Sequence, residues 1–297
     1  MTTAASTTSA ASAAFTTLIS AEQLRDLIAS GADLAIIDTR FDLAEPAAGE
    51  RAWHEGHLPG SIYLHLDRDL SAAKTGPDGA FRGRHPLPER RAFALTLSRC
   101  GITPPTQVVA LDAQGGVYAS RLWWMLRWMG HANVAVLDGG LAAWAAAGGP
   151  LDTTAPTRPT APAYPERPSL VATIDANTLS QKLGQFAVVD ARAGERFRGE
   201  VEPLDKAAGH IPGASNRFFK DNLGADGRFK PADQLRSEFT ALLGARPAGE
   251  VVHQCGSGVT ACHNLLAMEH AALPGTLLYP GSWSEWSSDP ARPIATG

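Results

Sequence analysis

The sequence predicts an α/β protein built from two tandem domains, each a parallel sheet flanked by helices. The chain has 297 residues, which is more than one compact core usually needs. Five motifs occur twice in the same order, so chance is a poor explanation for the repeat. Within each copy, short apolar β-branched segments alternate with amphipathic ones, and this alternation is typical of a parallel sheet with crossover helices.

The repeat can be read directly in the motifs. AIIDTR at residues 35–40 matches AVVDAR at 187–192, and GHLPG at 56–60 matches GHIPG at 209–213. The remaining pairs are residues 108–109 with 251–252, 116–119 with 258–261, and 139–144 with 281–286. Each copy therefore carries the same landmarks in the same order.

Each predicted element follows from its hydrophobic pattern. In the first copy we expect strands at 34–38, 108–111 and 134–137 and helices at 21–29 and 120–129. In the second copy we expect strands at 186–190, 251–254 and 276–279 and a helix at 261–270. Ligands of such sheets lie beyond the carboxyl ends of the strands, where Asp38, Asp190 and the loop after residue 254 fall.

Composition sets the predicted domain boundaries. Residues 1–17 are Ala/Ser/Thr-rich and uncharged, which favours a disordered tail over a secretory or mitochondrial leader. Residues 151–168 hold five prolines from Pro156 onwards and are predicted to be an extended linker. The predicted domains are therefore residues 18–150 and 169–297.

Charge and cysteine content narrow the class of partner. The net charge is −4, with no basic stripe, which argues against nucleic acid or a membrane surface as the main partner. No apolar stretch is long enough for a transmembrane helix. The three cysteines, Cys100, Cys255 and Cys262, do not make a disulfide framework, so we expect a cytoplasmic protein.

The loop after the strand at 251–254 carries the clearest chemical signal. It reads Cys-Gly-Ser-Gly-Val-Thr from Cys255 to Thr260 and leads into a helix. Backbone amides of such a loop converge on one point, and the helix N-terminus adds positive charge, so a thiolate or a persulfide is favoured there. This chemistry needs no metal and no organic cofactor. The first copy has Asp112 at the matching position, so only the second copy can be active. The alternative is that Cys255 is a buried small hydrophobe.

Together, these motifs resemble the rhodanese family of sulfurtransferases, which implies two tandem rhodanese-like domains with the active site between them. The loop is similar to that of the 3-mercaptopyruvate sulfurtransferases, whereas thiosulfate-specific members carry an Arg-Lys pair where this chain has Gly256 and Ser257. The resemblance implies transfer of sulfane sulfur from 3-mercaptopyruvate, through a Cys255 persulfide, to cyanide or a thiol acceptor such as a thioredoxin-like protein. The alternatives are thiosulfate as the donor, or a non-catalytic persulfide carrier.

The resemblance also implies roles for individual residues. Ser257, His85 and Asp67 are expected to form a proton relay beside Cys255, although His85 and Asp67 could instead lie on a solvated loop and cap a turn. Arg196 and Arg198 are expected to hold the donor carboxylate, unless they pair with Glu195 or Glu200. The segment before Gly209 lacks the family's second arginine and offers only Lys206. The remaining expected substrate-binding residues are Gly256, Gly258, Val259 and Thr260.

Two rival chemistries fit the sequence poorly. A zinc site of His253, Cys255, Cys262 and His263 has unsuitable spacing, because the last two are adjacent on a helix. A cysteine phosphatase needs an arginine six positions after its cysteine, where this chain has Ala261. The histidines of the two GHxPG motifs occur in both copies and are expected to be structural.

Overall fold

The computed structural model describes residues 14–297, and its two halves fold alike. Each half contains a five-stranded parallel sheet, with strand order β1-β5-β4-β2-β3 in the first and β6-β10-β9-β7-β8 in the second. The identical order confirms the predicted pair of α/β domains, here called the first domain (18–150) and the second domain (169–297). The strands are β1 Leu18–Ile19, β2 Leu34–Asp38, β3 Ile62–Tyr63, β4 Gln107–Leu111, β5 Val134–Leu137, β6 Ala172–Thr173, β7 Ala187–Asp190, β8 Ser215–Asn216, β9 Val251–Gln254 and β10 Leu277–Leu278.

Helices cover the faces of both sheets. Within residues 14–297, no helix is long and apolar enough to cross a membrane. The α-helices are α1 Ala21–Ala29, α2 Ala48–Glu55, α3 Leu66–Asp69, α4 Arg90–Arg99, α5 Ala119–Trp128, α6 Gly140–Ala146, α7 Ala176–Gln181, α8 Gly194–Phe197, α9 Ala232–Leu243, α10 Ala261–His270 and α11 Ser282–Trp286, and Phe219–Asn222 and Ala248–Glu250 are 3-10 helices.

The predicted elements are present, with shifts at their ends. Strands β2, β5 and β9 and helices α1 and α10 have the predicted bounds. The strand expected at 276–279 is shorter, because only Leu277 and Leu278 pair with β6 and β9. The hydrophobic pattern and the β-branched residues of a segment predict where a strand lies. The length of the strand depends on how far the neighbouring strands extend.

Helices α5 and α10 pack against each other and join the two domains. Residues Ala119 to Leu126 of α5 and Ala261 to Met268 of α10 are all buried. One hydrophobic cluster contains Leu122 and Trp124 of the first domain together with Leu265 and Leu266 of the second. The carboxyl ends of β4 and β9, which precede these helices, therefore face a common cleft.

The segments outside the two sheets are held by specific contacts. Residues 1–13 of the expected disordered tail lie outside the described residues. Residues 15–17 were also expected in that tail, but Thr16 O accepts a hydrogen bond from Trp123 Nε1 at 2.8 Å, and Thr17 O accepts one from Val136 N at 2.8 Å. In the linker, Arg158 Nη2 lies 2.7 Å from Asp33 Oδ1. Composition alone does not reveal such contacts.

The GHxPG histidines are structural in both copies. His57 stacks on Trp53 at 4.2 Å and lies 2.7 Å from the Trp53 carbonyl. His210 stacks on Phe197 at 3.9 Å and lies 2.8 Å from its carbonyl. Each motif precedes an edge strand, which agrees with the expected turn.

Candidate active site

Cys255 begins the loop between β9 and α10, and its backbone is fixed on both sides. Its N–H donates to Ser282 Oγ at 3.1 Å, and its carbonyl accepts from Trp283 N at 2.9 Å. Gly258 has φ +76°, and a Cβ there would lie 2.3 Å from Pro280 O, so only glycine fits this position. The loop is thus a rigid frame set against the start of α11.

A cavity of about 700 Å³ lies between the two domains and reaches Cys255. The Cys255 residue itself is only 2% exposed, so it lies in the wall of the cavity and not at the surface. Gly256, Ser257, Val259 and Thr260 line the same cavity, whereas Gly258 acts through its backbone turn. The first domain contributes Leu43, Leu66, Arg84, His85, Gln114 and Tyr118, among others.

His85 of the first domain connects Ser257 with Asp67. Its Nδ1 lies 2.7 Å from Ser257 Oγ, and its Nε2 lies 3.3 Å from Asp67 Oδ1. Burial lowers the pKa of His85 below the usual 6.5, although the Asp67 carboxylate opposes this shift. A hydrogen bond with His85 lowers the pKa of Asp67, which stays ionised. A neutral imidazole then donates from Nε2 to Asp67 and accepts the Ser257 hydroxyl proton at Nδ1.

The structure separates the two arginines expected to bind the donor. Arg196 lines the cavity, and its Nη2 donates to Glu202 Oε1 at 2.7 Å and to Asp205 Oδ2 at 3.3 Å. Arg198 does not line the cavity, because its Nε donates instead to Glu200 Oε1 at 2.7 Å in an exposed ion pair. Arg198 is therefore a surface residue and not a donor ligand. Lys206 does not line the cavity either.

The sequence of this chain is similar to those of known sulfur-transferring proteins. The Rhodanese-like domain family matches residues 20–147 and 175–289, which covers most of both copies. The chain belongs to the rhodanese family. A probable 3-mercaptopyruvate sulfurtransferase of Pseudomonas aeruginosa is 49% identical over 284 residues, or 94% of this chain and 98% of that protein. A putative thiosulfate sulfurtransferase, SseB, of Mycobacterium tuberculosis is 40% identical over 292 residues, or 94% of this chain and 97% of that protein.

The fold of this rhodanese-family chain is similar to that of a solved sulfur-transferring enzyme. The crystal structure of SseA from Escherichia coli, described as a 3-mercaptopyruvate sulfotransferase, superposes with a TM-score of 0.75 and 29% sequence identity. The match covers 91% of this chain and 100% of that one. Since the curated relatives bear sulfurtransferase names, this chain is an enzyme of that class.

The corresponding loop of the first domain surrounds a carboxylate with backbone N–H groups. There Asp112 occupies the position of Cys255, and its Oδ1 accepts from the N–H groups of Gln114 and Gly116, both at 2.9 Å. Its Oδ2 accepts from the N–H groups of Tyr118 at 2.8 Å and Ala119 at 3.0 Å. Four amides thus surround one anion, as the loop geometry predicts. By the repeat, three of them correspond to the amides of Gly258, Thr260 and Ala261.

Arg121 is a site residue that sequence reasoning missed. It is fully buried in α5, and its Nη1 donates to Gly258 O at 3.1 Å while its Nη2 donates to His85 O at 3.1 Å. One guanidinium of the first domain thus joins the Cys255 loop to the segment that carries His85. The sequence did contain a signal for this role, because Arg121 begins the apolar helix sequence RLWWML. A cation buried with such a helix nearly always has a polar partner.

The histidines and the second cysteine of the rejected zinc site have other contacts. His253 Nε2 lies 3.1 Å from Met268 Sδ, and His263 Nε2 lies 3.0 Å from Gly115 O. Cys262 Sγ donates to Gly258 O at 3.3 Å. Within residues 14–297, no cluster of three or more His, Cys, Asp or Glu side chains could hold a metal ion.

Proposed function

We propose that this rhodanese-family enzyme transfers the sulfur of 3-mercaptopyruvate to a thiol acceptor through a persulfide on Cys255. The observation that carries the proposal is the relay of Asp67, His85 and Ser257 beside Cys255, with His85 Nδ1 2.7 Å from Ser257 Oγ. A relay of this kind moves protons, and the two candidate donors differ in whether a proton must move.

With 3-mercaptopyruvate, the reaction includes a proton transfer. The Cys255 thiolate attacks the donor sulfur, an S–S bond forms, and the sulfur–carbon bond breaks. The electron pair of that bond goes to the methylene carbon and gives the enolate of pyruvate. The proton of the donor thiol moves to that carbon, so the products are the persulfide anion and pyruvate. We propose that Ser257 and His85 carry this proton and that Asp67 orients the imidazole.

The loop amides supply the second part of the proposed mechanism. The amides of Gly258, Thr260 and Ala261 correspond to three of the four that surround the Asp112 carboxylate. A persulfide anion on Cys255 is stabilised by the same kind of cradle. The sulfur is carried by the covalent intermediate, so the proposed reaction uses no metal and no organic cofactor.

An acceptor then completes the cycle. A thiolate attacks the outer sulfur, a new S–S bond forms on the acceptor, and the Cys255 thiolate leaves. Cyanide reacts in the same way and yields thiocyanate. We propose a thioredoxin-like protein as the thiol acceptor. We propose the cytoplasm as the location, because all three cysteines are unpaired and buried.

Thiosulfate is the second candidate donor, since Arg84 and Arg196 line the cavity beside the loop and several relatives are named thiosulfate sulfurtransferases. The experiment measures kcat/KM for both donors with cyanide as the acceptor, for the wild type and for Ser257→Ala. We expect the wild type to prefer 3-mercaptopyruvate. We also expect Ser257→Ala to lose about 10²-fold in kcat with this donor but little with thiosulfate, because sulfite leaves without needing a proton. A wild-type preference for thiosulfate, with equal losses for both donors, would contradict the proposal.

A further inference from the structure

Ser282, the first residue of α11, has a backbone conformation that serine rarely adopts. Its φ is +52°, in the left-handed region where a side chain crowds the backbone. Within residues 14–297, the only other non-glycine residue with a positive φ is Ala272, which lies just after α10, where helices commonly end in this conformation. Ser282 begins a helix instead, so an ordinary helix ending does not account for its strain.

The first domain has a glycine at the matching position. Gly140 begins α6 with φ +55°, which is close to the value of Ser282. A Cβ on Gly140 would lie 2.3 Å from Asp112 O, so only glycine fits there. The two domains thus share this turn, but the domain that contains Cys255 carries a side chain on it. Because glycine adopts the turn without strain, the serine costs stability that a glycine would not.

The hydroxyl group of Ser282 connects Cys255 with the segment that follows β10. Ser282 Oγ donates to Tyr279 O at 2.9 Å, and the hydroxyl proton lies on that side because a carbonyl can only accept. The lone pairs of Oγ then face the Cys255 N–H, which donates to Oγ at 3.1 Å. Ser282, Cys255 and Tyr279 are at most 2% exposed, so bulk water does not compete for these two hydrogen bonds.

One of the two bonds that hold the Cys255 backbone has a counterpart in the first domain. Trp283 N donates to Cys255 O at 2.9 Å, and in the first domain Leu141 N donates to Asp112 O at 3.0 Å. This bond therefore belongs to the common fold and forms without a cysteine. The bond of the Cys255 N–H needs the Ser282 hydroxyl group, which the glycine of the first domain lacks. The extra bond thus accompanies the cysteine.

We propose that Ser282 is a positioning residue, whose strained backbone is kept because its hydroxyl group fixes the direction of the Cys255 side chain. The proposal rests on the proposed function and deepens it. Hydrogen bonds at the N–H and at the carbonyl fix the Cys255 backbone on both sides of its Cα, and hence the direction of the Cα–Cβ bond. The sulfur is then held among the loop amides, in line for attack on the donor. Strain of this kind persists where function requires it.

The test compares Ser282→Gly with Ser282→Ala, since both lose the hydroxyl group but only Ser282→Gly relieves the strain. We expect both to lower kcat about 10- to 100-fold with little change in KM, because a displaced sulfur attacks slowly while the donor site stays intact. Ser282→Gly should nevertheless melt about 2–4 °C higher than Ser282→Ala. A wild-type kcat in Ser282→Gly would show that the serine affects stability alone and would overturn the proposal.

Two features of the chain keep this test interpretable. Ser282→Gly reproduces the residue that the first domain has at this turn, so it should fold, and its kcat decides alone if Ser282→Ala does not. Ser288→Ala is the control, because it also removes a serine hydroxyl group near α11, but this group donates to Glu285 O at 2.8 Å. Ser288→Ala should keep the kcat of the wild type. An equal fall in Ser288→Ala and Ser282→Gly would count against a specific role of Ser282.

The Cys255 amide gives a readout that separates this proposal from the proposed function, because it needs no donor. Its hydrogen exchange, followed by NMR, should be about tenfold faster in Ser282→Gly than in the wild type, as expected for the loss of one hydrogen bond. The kinetics are measured with 3-mercaptopyruvate and with thiosulfate, and kcat should fall equally for both, since the same sulfur attacks each. A wild type that prefers thiosulfate would overturn the donor assignment alone. Equal exchange in the wild type and Ser282→Gly would overturn the role of Ser282 whatever the donor.

Discussion

Ser257 of the second domain and His85 of the first domain lie 2.7 Å apart, between Oγ and Nδ1. The hydrogen bond crosses the domain boundary, so neither copy alone contains the relay. The first domain has Asp112 in place of the loop cysteine, yet it contributes His85 and Asp67 to this hydrogen-bonded chain and Arg121 to the contact with the Cys255 loop. The proposed active site therefore depends on the packing of the two domains.

The first prediction concerns the relay. His85→Ala removes the group that accepts the Ser257 proton, and we expect kcat with 3-mercaptopyruvate to fall about 10²- to 10⁴-fold. Asp67→Asn keeps the shape but removes the charge that orients the imidazole. Asp67 is 40% exposed, so we expect a smaller loss, about tenfold. Steady-state kinetics with cyanide tests both, and unchanged rates would remove these residues from the mechanism.

The second prediction concerns pH. His85 must be neutral to accept a proton, and burial lowers its pKa, so activity should fall only as the pH drops below 6.5. The Asp67 carboxylate raises the pKa of His85 against this shift. In Asp67→Asn the pKa of His85 should fall further, and the acid limb of kcat/KM should move to lower pH. Asp69→Asn is the control, because its carboxylate contacts Arg99 and the His65 amide instead. A limb that moves to higher pH in Asp67→Asn would contradict the account.

The third prediction concerns Arg121. Arg121→Met leaves the carbonyls of Gly258, Leu70 and His85 without this donor. We expect the free energy of unfolding to fall by about 2–4 kcal/mol, because unsatisfied buried polar groups are costly. Arg68→Met is the control, since Arg68 pairs with Glu50 at the exposed surface, and its loss should cost under about 1 kcal/mol. Denaturant unfolding measures both, and equal stabilities would contradict the proposed role.

The fourth prediction concerns Asp112 in the corresponding loop of the first domain. Asp112→Ala leaves four backbone N–H groups without an acceptor, so we expect a loss of several kcal/mol in the free energy of unfolding. The rate of sulfur transfer per folded molecule should stay close to that of the wild type, because Asp112 cannot form a persulfide. Activity is measured at a temperature where the variant is folded, as judged by near-ultraviolet circular dichroism. Complete inactivity of the folded variant would contradict this prediction and would show that Asp112 takes part in the chemistry.

Much of the fold could be predicted from the sequence because each copy repeats the same local patterns. Apolar β-branched segments predict β2, β5 and β9 with their observed bounds. The loop from Cys255 to Thr260 follows from its glycines and its place between strand and helix. Ser257, His85 and Asp67 came from the family resemblance, and the structure brings all three together.

The parts that escaped prediction depend on contacts between distant residues. Arg84 and Arg121 approach the Cys255 loop only because the first domain packs on the second, and the sequence does not specify that packing. Arg198 was wrongly assigned to the donor site, because residues two positions apart on the helical turn of α8 point to different sides. Arg196 consequently faces the cavity while Arg198 faces Glu200 and solvent.

Mass spectrometry of the intermediate shows directly whether Cys255 carries the sulfur. The wild type is mixed with 3-mercaptopyruvate without an acceptor and digested, and the mass of the peptide containing Cys255 is measured. We expect a gain of one sulfur atom on Cys255, which cyanide removes as thiocyanate, and no gain or turnover in Cys255→Ala. Sulfur transfer by Cys255→Ala, or a persulfide only on Cys100 or Cys262, would contradict this expectation.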